Sequence, residues 1–338
     1  MHIVITGGAG FLGVRLARTL LAQGHIQLGG KAALPIDRIT LVDRAAPPAD
    51  LASDARVQVV EGDLVDLLEQ DAARVVPAGA GAVVHLASAV SGECEADFDL
   101  GMRSNLRAGM LLLERCRALG SSPVLVFSSS LAVFGSTPQQ PLPDVVTDQT
   151  LPTPQNSYGI QKYMLEQLVA DYTRKGFVRG RNVRLMTVSV RPGLPNGAAS
   201  SFLSGMIREP LAGVRSTCPV PPDTPVALSS PGRTVEGLVR ALQTSDADWG
   251  PRTALNLPAL TTTPAQMAAA LEKVAGRGAS ALIDWQPDPA IARIITSWPA
   301  RMDSARAHAL GLAADADFEA IVRDYVRENP EAVKAAVS

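Results

Sequence analysis

Aromatic side chains are scarce in this 338-residue chain, where Phe, Trp and Tyr together make up 4%. Its core must therefore be built from Ala, Val, Leu and Ile, a composition that suits parallel strands buried between helices. Cysteine is scarcer still. Cys94, Cys116 and Cys218 are odd in number and far apart. They fit neither a disulfide framework nor a Cys-x-x-Cys metal site, and free thiols in a reducing cytoplasm are the expectation. The four histidines, His2, His25, His85 and His308, show no ligand spacing, so no metal is expected. The formal net charge is −2 with no dense Lys/Arg run, which argues against nucleic acid as a partner. No apolar run reaches the roughly 20 residues that span a bilayer, so no membrane partner is expected. The opening Met1-His2-Ile3-Val4-Ile5-Thr6 lacks the basic region of a secretory signal, which again points to the cytoplasm.

What is present is aliphatic alternation. Ile3-Val4-Ile5 is a strand that runs into glycines, and Phe11 to Gln23 has helical periodicity closed by Gly24. Gln27–Pro35 reads as a surface insertion. Strands follow at Ile39–Val42, Val57–Val60, Ala82–Leu86 and Val124–Phe127, with a helix near 105–119. This alternation predicts an α/β fold, a doubly wound parallel Rossmann sheet. A loop spans Thr137–Pro154, and a sixth strand is expected at Val183–Val190. From about Pro192 prolines cluster, so residues 1–190 are expected to form the Rossmann domain. Residues 191–338 are expected to form a smaller substrate-covering part, some of whose segments return to the sheet. Ala-rich helices lie near 265–281, and a terminal amphipathic helix from Asp317 to Lys334 should break near Pro330.

Thr6-Gly7-Gly8-Ala9-Gly10-Phe11-Leu12-Gly13 has the spacing of a pyrophosphate-binding turn. Gly7 permits a sharp turn out of the strand, Gly10 lets a phosphate approach the backbone, and Gly13 lets the first helix pack closely. The helix N-terminus then offers amide N–H groups to the phosphates. Asp43, at the end of the second strand, suits the two adenosine ribose hydroxyls and would repel a 2′-phosphate, favouring NAD over NADP. Asp63 is a candidate for the adenine amino group, with a helix N-cap as the alternative.

Tyr158-Gly159-Ile160-Gln161-Lys162 places a phenol and an ammonium on one helix face. A free tyrosine, with a pKa near ~10, is a poor base at neutral pH. A neighbouring cation favours the phenolate. The pair can thus act as general acid/base beside a hydride acceptor. Ser128-Ser129-Ser130 lies at the carboxyl end of the fifth strand, where parallel sheets bind ligands, and a serine there can hold a substrate hydroxyl.

These motifs, with Gly62-Asp63-Leu64, His85-Leu86-Ala87-Ser88, Asn105, Ser128 to Gly135 and Arg191-Pro192-Gly193, resemble the extended short-chain dehydrogenases/reductases from Met1 to about Arg240. The resemblance implies Ser130, four residues before Phe134, as the catalytic serine beside Tyr158 and Lys162. It implies cofactor contacts from Gly7, Gly10, Phe11, Leu12, Gly13, Asp43, Asp63, Leu64, Leu86, Ala87, Ser88, Asn105, Ser128, Tyr158, Lys162 and Pro192, with Asn105 ordering the active-site backbone. It also implies a homodimer through the helices near 105–119 and 158–175.

The aromatic-Asn pair of nucleotide-sugar enzymes is absent from Ser189-Val190-Arg191-Pro192-Gly193-Leu194-Pro195-Asn196, and Leu131-Ala132 replace the acidic pair of dehydratases. Val188–Leu211 and Thr153–Lys162 are similar to the D-erythronate dehydrogenase subgroup. That likeness implies NAD-dependent oxidation of the C2 hydroxyl of a small sugar acid. A carboxylate anchor is then needed, and arginine supplies a bidentate one. Arg233 is the first candidate and Arg208 the second. Ser88, Ser130, Tyr158 and Asn196 are the remaining substrate candidates, with Ser91, Ser189 and Ser200 also plausible hydroxyl partners. Two alternatives are a nucleotide-sugar 4-epimerase with tightly held NAD and a non-catalytic NAD-sensing module.

Overall fold

β1 (His2–Thr6) carries Ile3, Val4 and Ile5 with no exposed surface, because both faces of the strand are covered. In the computed structural model, which describes residues 1–195 and 197–335, this strand lies inside a parallel sheet, with strands on both sides. Its neighbours are β2 (Arg38–Asp43) and, beyond it, β3 (Val57–Glu61) on one side. On the other side lie β4 (Ala80–His85), β5 (Val124–Ser130), β6 (Arg179–Leu185) and the short β7 (Leu255–Asn256). Among the described residues the order is β7-β6-β5-β4-β1-β2-β3. The pairs β1–β2, β2–β3, β1–β4 and β4–β5 are parallel. Strand order reverses between β1 and β4, and ligands of open α/β sheets bind at such a switch point, beyond the carboxyl ends of the strands.

Helices α1 (Phe11–Gln23), α2 (Leu64–Val75), α3 (Ala108–Leu119) and α4 (Ser157–Arg174) accompany this sheet. α1 ends at Gly24, whose φ of 67° supplies the left-handed cap. The core joins Val4, Val42, Val83, Leu125 and Phe127 to Leu112, Leu113, Leu165 and Val169 of the helices. Each such fully buried aliphatic contributes about 1.5–3 kcal/mol relative to exposure.

The chain forms two compact units that interleave along the sequence. One comprises Met1–Ser130, Ser157–Arg184 and Val235–Leu255; the other comprises Leu131–Asn156, Leu185–Thr234 and Asn256–Ser338. A single boundary at 190 does not describe them, since residues 131–156 and 185–190 group with the later segments and 235–255 with the sheet. In the second unit, Thr187–Val188, Val226–Ser229 and Leu260–Thr262 form a small sheet. α5 (Phe202–Leu211), α7 (Pro264–Ser280) and α8 (Phe318–Glu328) bury Met206, Ile207, Met267, Leu271, Ile321 and Val322 together. α6 (Pro231–Gln243) begins in this unit and continues into the other. α8 stops before Pro330, as expected, and a 3-10 turn follows at Pro330–Ala332.

One expectation is corrected. Residues 183–190 are not one strand: β6 ends at Leu185, and Thr187–Val188 pairs with Leu228 and Ser229 in the small sheet. The side chain of Arg184 is held by Glu166, whereas the Ser189 amide donates to the Ser229 carbonyl, so the run is divided between partners. The Gln27–Pro35 segment lies mostly at the surface, as expected, with Gln27 and residues 30–35 exposed. His25–Ile26 and Leu34–Pro35 pair as an antiparallel ribbon, and Leu28 is buried between them in sequence. Among the described residues no helix is long and apolar enough to cross a membrane.

Candidate active site

The glycine turn meets the steric demands of a phosphate cradle. Gly7 has φ 72°, and a Cβ there would lie 2.7 Å from the Ala87 amide nitrogen. A Cβ on Gly13 would lie 2.1 Å from the Gly7 carbonyl oxygen, so only glycine lets α1 start against the turn. Gly10 is exposed, and a Cβ there would meet only the Gly7 carbonyl oxygen, at 3.2 Å. The open approach to the backbone is therefore at Gly10. Gly10 is also the N-cap of α1 and supplies no side-chain cap, and Phe11 and Leu12 form the first turn beside it. These residues fit a dinucleotide pyrophosphate.

Asp43 ends β2 and holds that turn. Its Oδ2 accepts from the amides of Ala9 (3.0 Å) and Gly10 (3.2 Å), and its Oδ1 from those of Arg44 (2.7 Å) and Ala45 (3.3 Å). Asp63 caps α2 through the Val65 and Asp66 amides and pairs with Arg103 at 2.9 Å, while Leu64 opens that helix. The N-cap alternative for Asp63 is thus its observed contact.

Leu86, Ala87 and Ser88 follow β4. Ser88 Oγ donates to the carboxamide oxygen of Asn105 at 2.9 Å, and that oxygen also accepts from the Ala89 amide at 2.8 Å. Asn105 is buried in a π-helical stretch, Met102–Arg107, and its Nδ2 donates to Gln161 Oε1 at 2.7 Å. Asn105 therefore ties the loop after β4 to the helix that carries Tyr158 and Lys162.

The three serines at the end of β5 are sorted by their partners. Ser128 and Ser129 are buried, whereas Ser130 is half-buried. Ser128 Oγ donates to the His85 carbonyl at 2.9 Å, and Ser129 Oγ donates to Glu166. Ser130 is the member with access to solvent. Lys162 Nζ donates to the Ser128 carbonyl at 2.8 Å and lies 5.4 Å from the Tyr158 ring centroid and 5.0 Å from that of Phe127. Burial pulls the Lys162 ammonium down to about 7, against the opposite pull of Cys94 and Glu166. Thr6 Oγ1 and His85 Nδ1 share a hydrogen bond of 2.7 Å. Burial, with a smaller effect from Lys162, drives His85 down to about 3, so its imidazole is neutral.

The second unit holds the remaining candidates. Pro192 and Arg233 are half-buried, and the Arg233 amide donates to Ser230 Oγ at 3.1 Å. Arg208 is buried; its Nη1 donates to the Arg191 carbonyl at 2.9 Å and its Nη2 pairs with Glu209. That commitment disfavours Arg208 as a carboxylate anchor. Asn196 lies outside the described residues. The sequence reading missed Gln161, Glu166 and Arg184. Glu166 stands one helical turn beyond Lys162, a signal that spacing alone could have supplied.

A Rossmann sheet with a glycine cradle, a Tyr-x-x-x-Lys pair and a serine at a strand end defines a nucleotide-dependent oxidoreductase class. Residues 3–224 match the NAD dependent epimerase/dehydratase family, and the chain belongs to that family. It is 48% identical to a D-erythronate dehydrogenase of Cupriavidus necator over 97% of this chain and 98% of that protein. It is 40% identical to a D-erythronate dehydrogenase of Haemophilus influenzae over 96% and 99% of the two chains. The crystal structure of a nucleoside-diphosphate-sugar epimerase from Agrobacterium tumefaciens is similar at 38% identity and a TM-score of 0.88, covering 98% of this chain and 95% of that one.

Proposed function

We propose that this chain oxidises the C2 hydroxyl of D-erythronate to 2-dehydro-D-erythronate with NAD, the substrate reading resting on the near full-length likeness to two D-erythronate dehydrogenases. The observation that carries the chemistry is Lys162, buried beside Tyr158 and bound to the Ser128 carbonyl, with Ser130 as the accessible serine of the same strand end. Tyr158 Oη takes the proton of the substrate hydroxyl, and Ser130 Oγ holds that hydroxyl in place. Lys162 stabilises the phenolate by its charge. NAD, when bound, supplies the acceptor for the hydride that leaves C2. Gly7, Gly10, Phe11, Leu12 and Gly13 hold its pyrophosphate. Asp43 takes the adenosine ribose hydroxyls by releasing its longer amide bonds, those to Gly10 and Ala45. Asp63 and Leu64 flank the adenine, while Leu86, Ala87, Ser88, Asn105, Ser128 and Pro192 complete the cofactor's surroundings.

Arg233 anchors the sugar-acid carboxylate, and Asn196 and Ser88 serve its other hydroxyls. The protein works as a homodimer in a reducing cytoplasm. Exposed Met110 on α3, with Ile160 and Met164 one turn apart on α4, supplies the apolar face for that dimer, and the three cysteines are buried free thiols.

The test is incubation of the purified protein with NAD and D-erythronate, L-threonate or D-threonate, following NADH by absorbance. NADH with D-erythronate supports the reading. No NADH with any of the acids overturns the substrate assignment and returns the nucleotide-sugar epimerase alternative, which releases no net NADH.

A further inference from the structure

Glu166 is buried, lies one turn beyond Lys162 on α4, and takes no part in the chemistry described above. Its carboxylate accepts from three donors on two strands. Ser129 Oγ of β5 donates to Oε1, Arg184 Nε of β6 donates to Oε1 at 2.9 Å, and Arg184 Nη2 donates to Oε2 at 2.7 Å. The Glu166 carbonyl also accepts from Asn182 Nδ2, again on β6, at 2.9 Å. Ser129 is the covalent neighbour of Ser130. The catalytic helix is thus fastened to the serine strand at two successive residues: Lys162 to the Ser128 carbonyl and Glu166 to the Ser129 hydroxyl.

We propose that Glu166, braced by Arg184, is a positioning residue that sets Ser130 against the Tyr158–Lys162 pair by gripping the Ser129 hydroxyl and by placing a buried negative charge one helical turn from Lys162. The inference rests on the assignment of Ser130, Tyr158 and Lys162 as the catalytic set. A side chain on β5 points to one face, and the next to the other. Fixing the Ser129 side chain therefore fixes the direction in which Ser130 points, and a small misplacement of a reacting group is felt strongly in turnover.

The charge has its own effect. The groups that face Lys162 are Tyr158 and Glu166 on its own helix, His85 at the end of β4, and Cys94 in the short helix Ser91–Ala96. His85 is neutral and the Cys94 thiol is pushed up by burial. Glu166 is then the carboxylate that favours the charged form of Lys162. The pH limb of turnover that follows the Lys162 proton is the one that Glu166 reaches. Taking away a nearby negative charge lowers the pH at which Lys162 gives up its proton.

The experiment is the pH profile of kcat for Glu166→Gln, with Tyr158→Phe and Ser129→Ala measured beside it. Glu166→Gln is expected to move the limb to lower pH and to lower kcat, with the affinity for NAD unchanged. A residue that served only to hold the fold together would not move that limb. Should Glu166→Gln fail to fold because Arg184 is left buried and unpaired, Ser129→Ala decides. It is expected to reduce kcat about tenfold without a shift of the limb, and Ser129→Thr, which keeps the hydroxyl, is expected to restore turnover. An unmoved limb and wild-type kcat in Glu166→Gln, or wild-type kcat in Ser129→Ala, with Tyr158→Phe inactive, overturns the proposal alone. An active Tyr158→Phe overturns the catalytic assignment beneath it.

Discussion

Lys162 Nζ donates to the Ser128 carbonyl at 2.8 Å, joining the second turn of the catalytic helix to the end of β5. The ammonium is buried, and its burial has two consequences, one for chemistry and one for stability. Lys162→Met is expected to lower turnover by about 10²-fold or more, because the Tyr158 phenolate loses its cation. It is also expected to abolish a rise in wild-type stability between about pH 7 and the ordinary lysine value of 10.5. In that window the unfolded chain holds a proton that the folded one has released, so stability increases with pH. Denaturant unfolding of both proteins at several pH values checks the sign; a wild-type curve that falls through this window contradicts it.

Tyr158→Phe is expected to reduce kcat by roughly 10²–10⁴-fold while NAD affinity changes little, since the ring is kept and only the proton acceptor is lost. Steady-state kinetics and NAD titration separate the two quantities. Turnover within a few-fold of wild type would remove Tyr158 from the mechanism.

His85 gives the opposite end of the pH scale a definite slope. Its folded value of about 3 lies below the ordinary 6.5, so stability is fully present above about pH 6.5 and declines as pH falls towards 3. The slope from this one group approaches about 1.4 kcal/mol per pH unit. His85→Gln is expected to flatten the decline. An identical acid slope in the variant would show that other groups cause it.

Asp43→Ala is expected to weaken NAD binding about tenfold or more and to narrow the preference for NAD over NADP. It should also destabilise the apoprotein by about 0.5–1.5 kcal/mol, since the Ala9 and Gly10 amides exchange a carboxylate acceptor for water. Paired Kd and Tm measurements test both effects. An unchanged cofactor preference would mean that another residue reads the ribose.

On the proposed homodimer, Met110→Glu together with Met164→Glu is expected to give a monomer, because both side chains are exposed on neighbouring helices, 48% and 43% respectively. Light scattering reads the outcome. A monomeric wild type, or a mass unaffected by the substitutions, would contradict the proposed dimer face.

The features that were legible in the sequence are those whose residues are neighbours along the chain. The glycines of the turn, the four-residue step from Tyr158 to Lys162, and the strands of the parallel sheet all follow from spacing and hydrophobic period. Ser128, Ser129 and Ser130 could be found but not ranked by chemistry, because their roles depend on His85, Glu166 and Lys162, which are distant in sequence. Arg208 illustrates the same limit. Its residue type suits a carboxylate, but its guanidinium is occupied by the Arg191 carbonyl and Glu209. The division of residues 183–190 between two sheets was also hidden, since an aliphatic run does not reveal that its pairing partners change along its length.

The central claim is that hydride leaves C2 of D-erythronate. The direct measurement uses D-erythronate carrying deuterium at C2 and determines the mass of the NADH formed. NADH heavier by one deuterium is expected. Formation of unlabelled NADH, or no NADH at all, would contradict it.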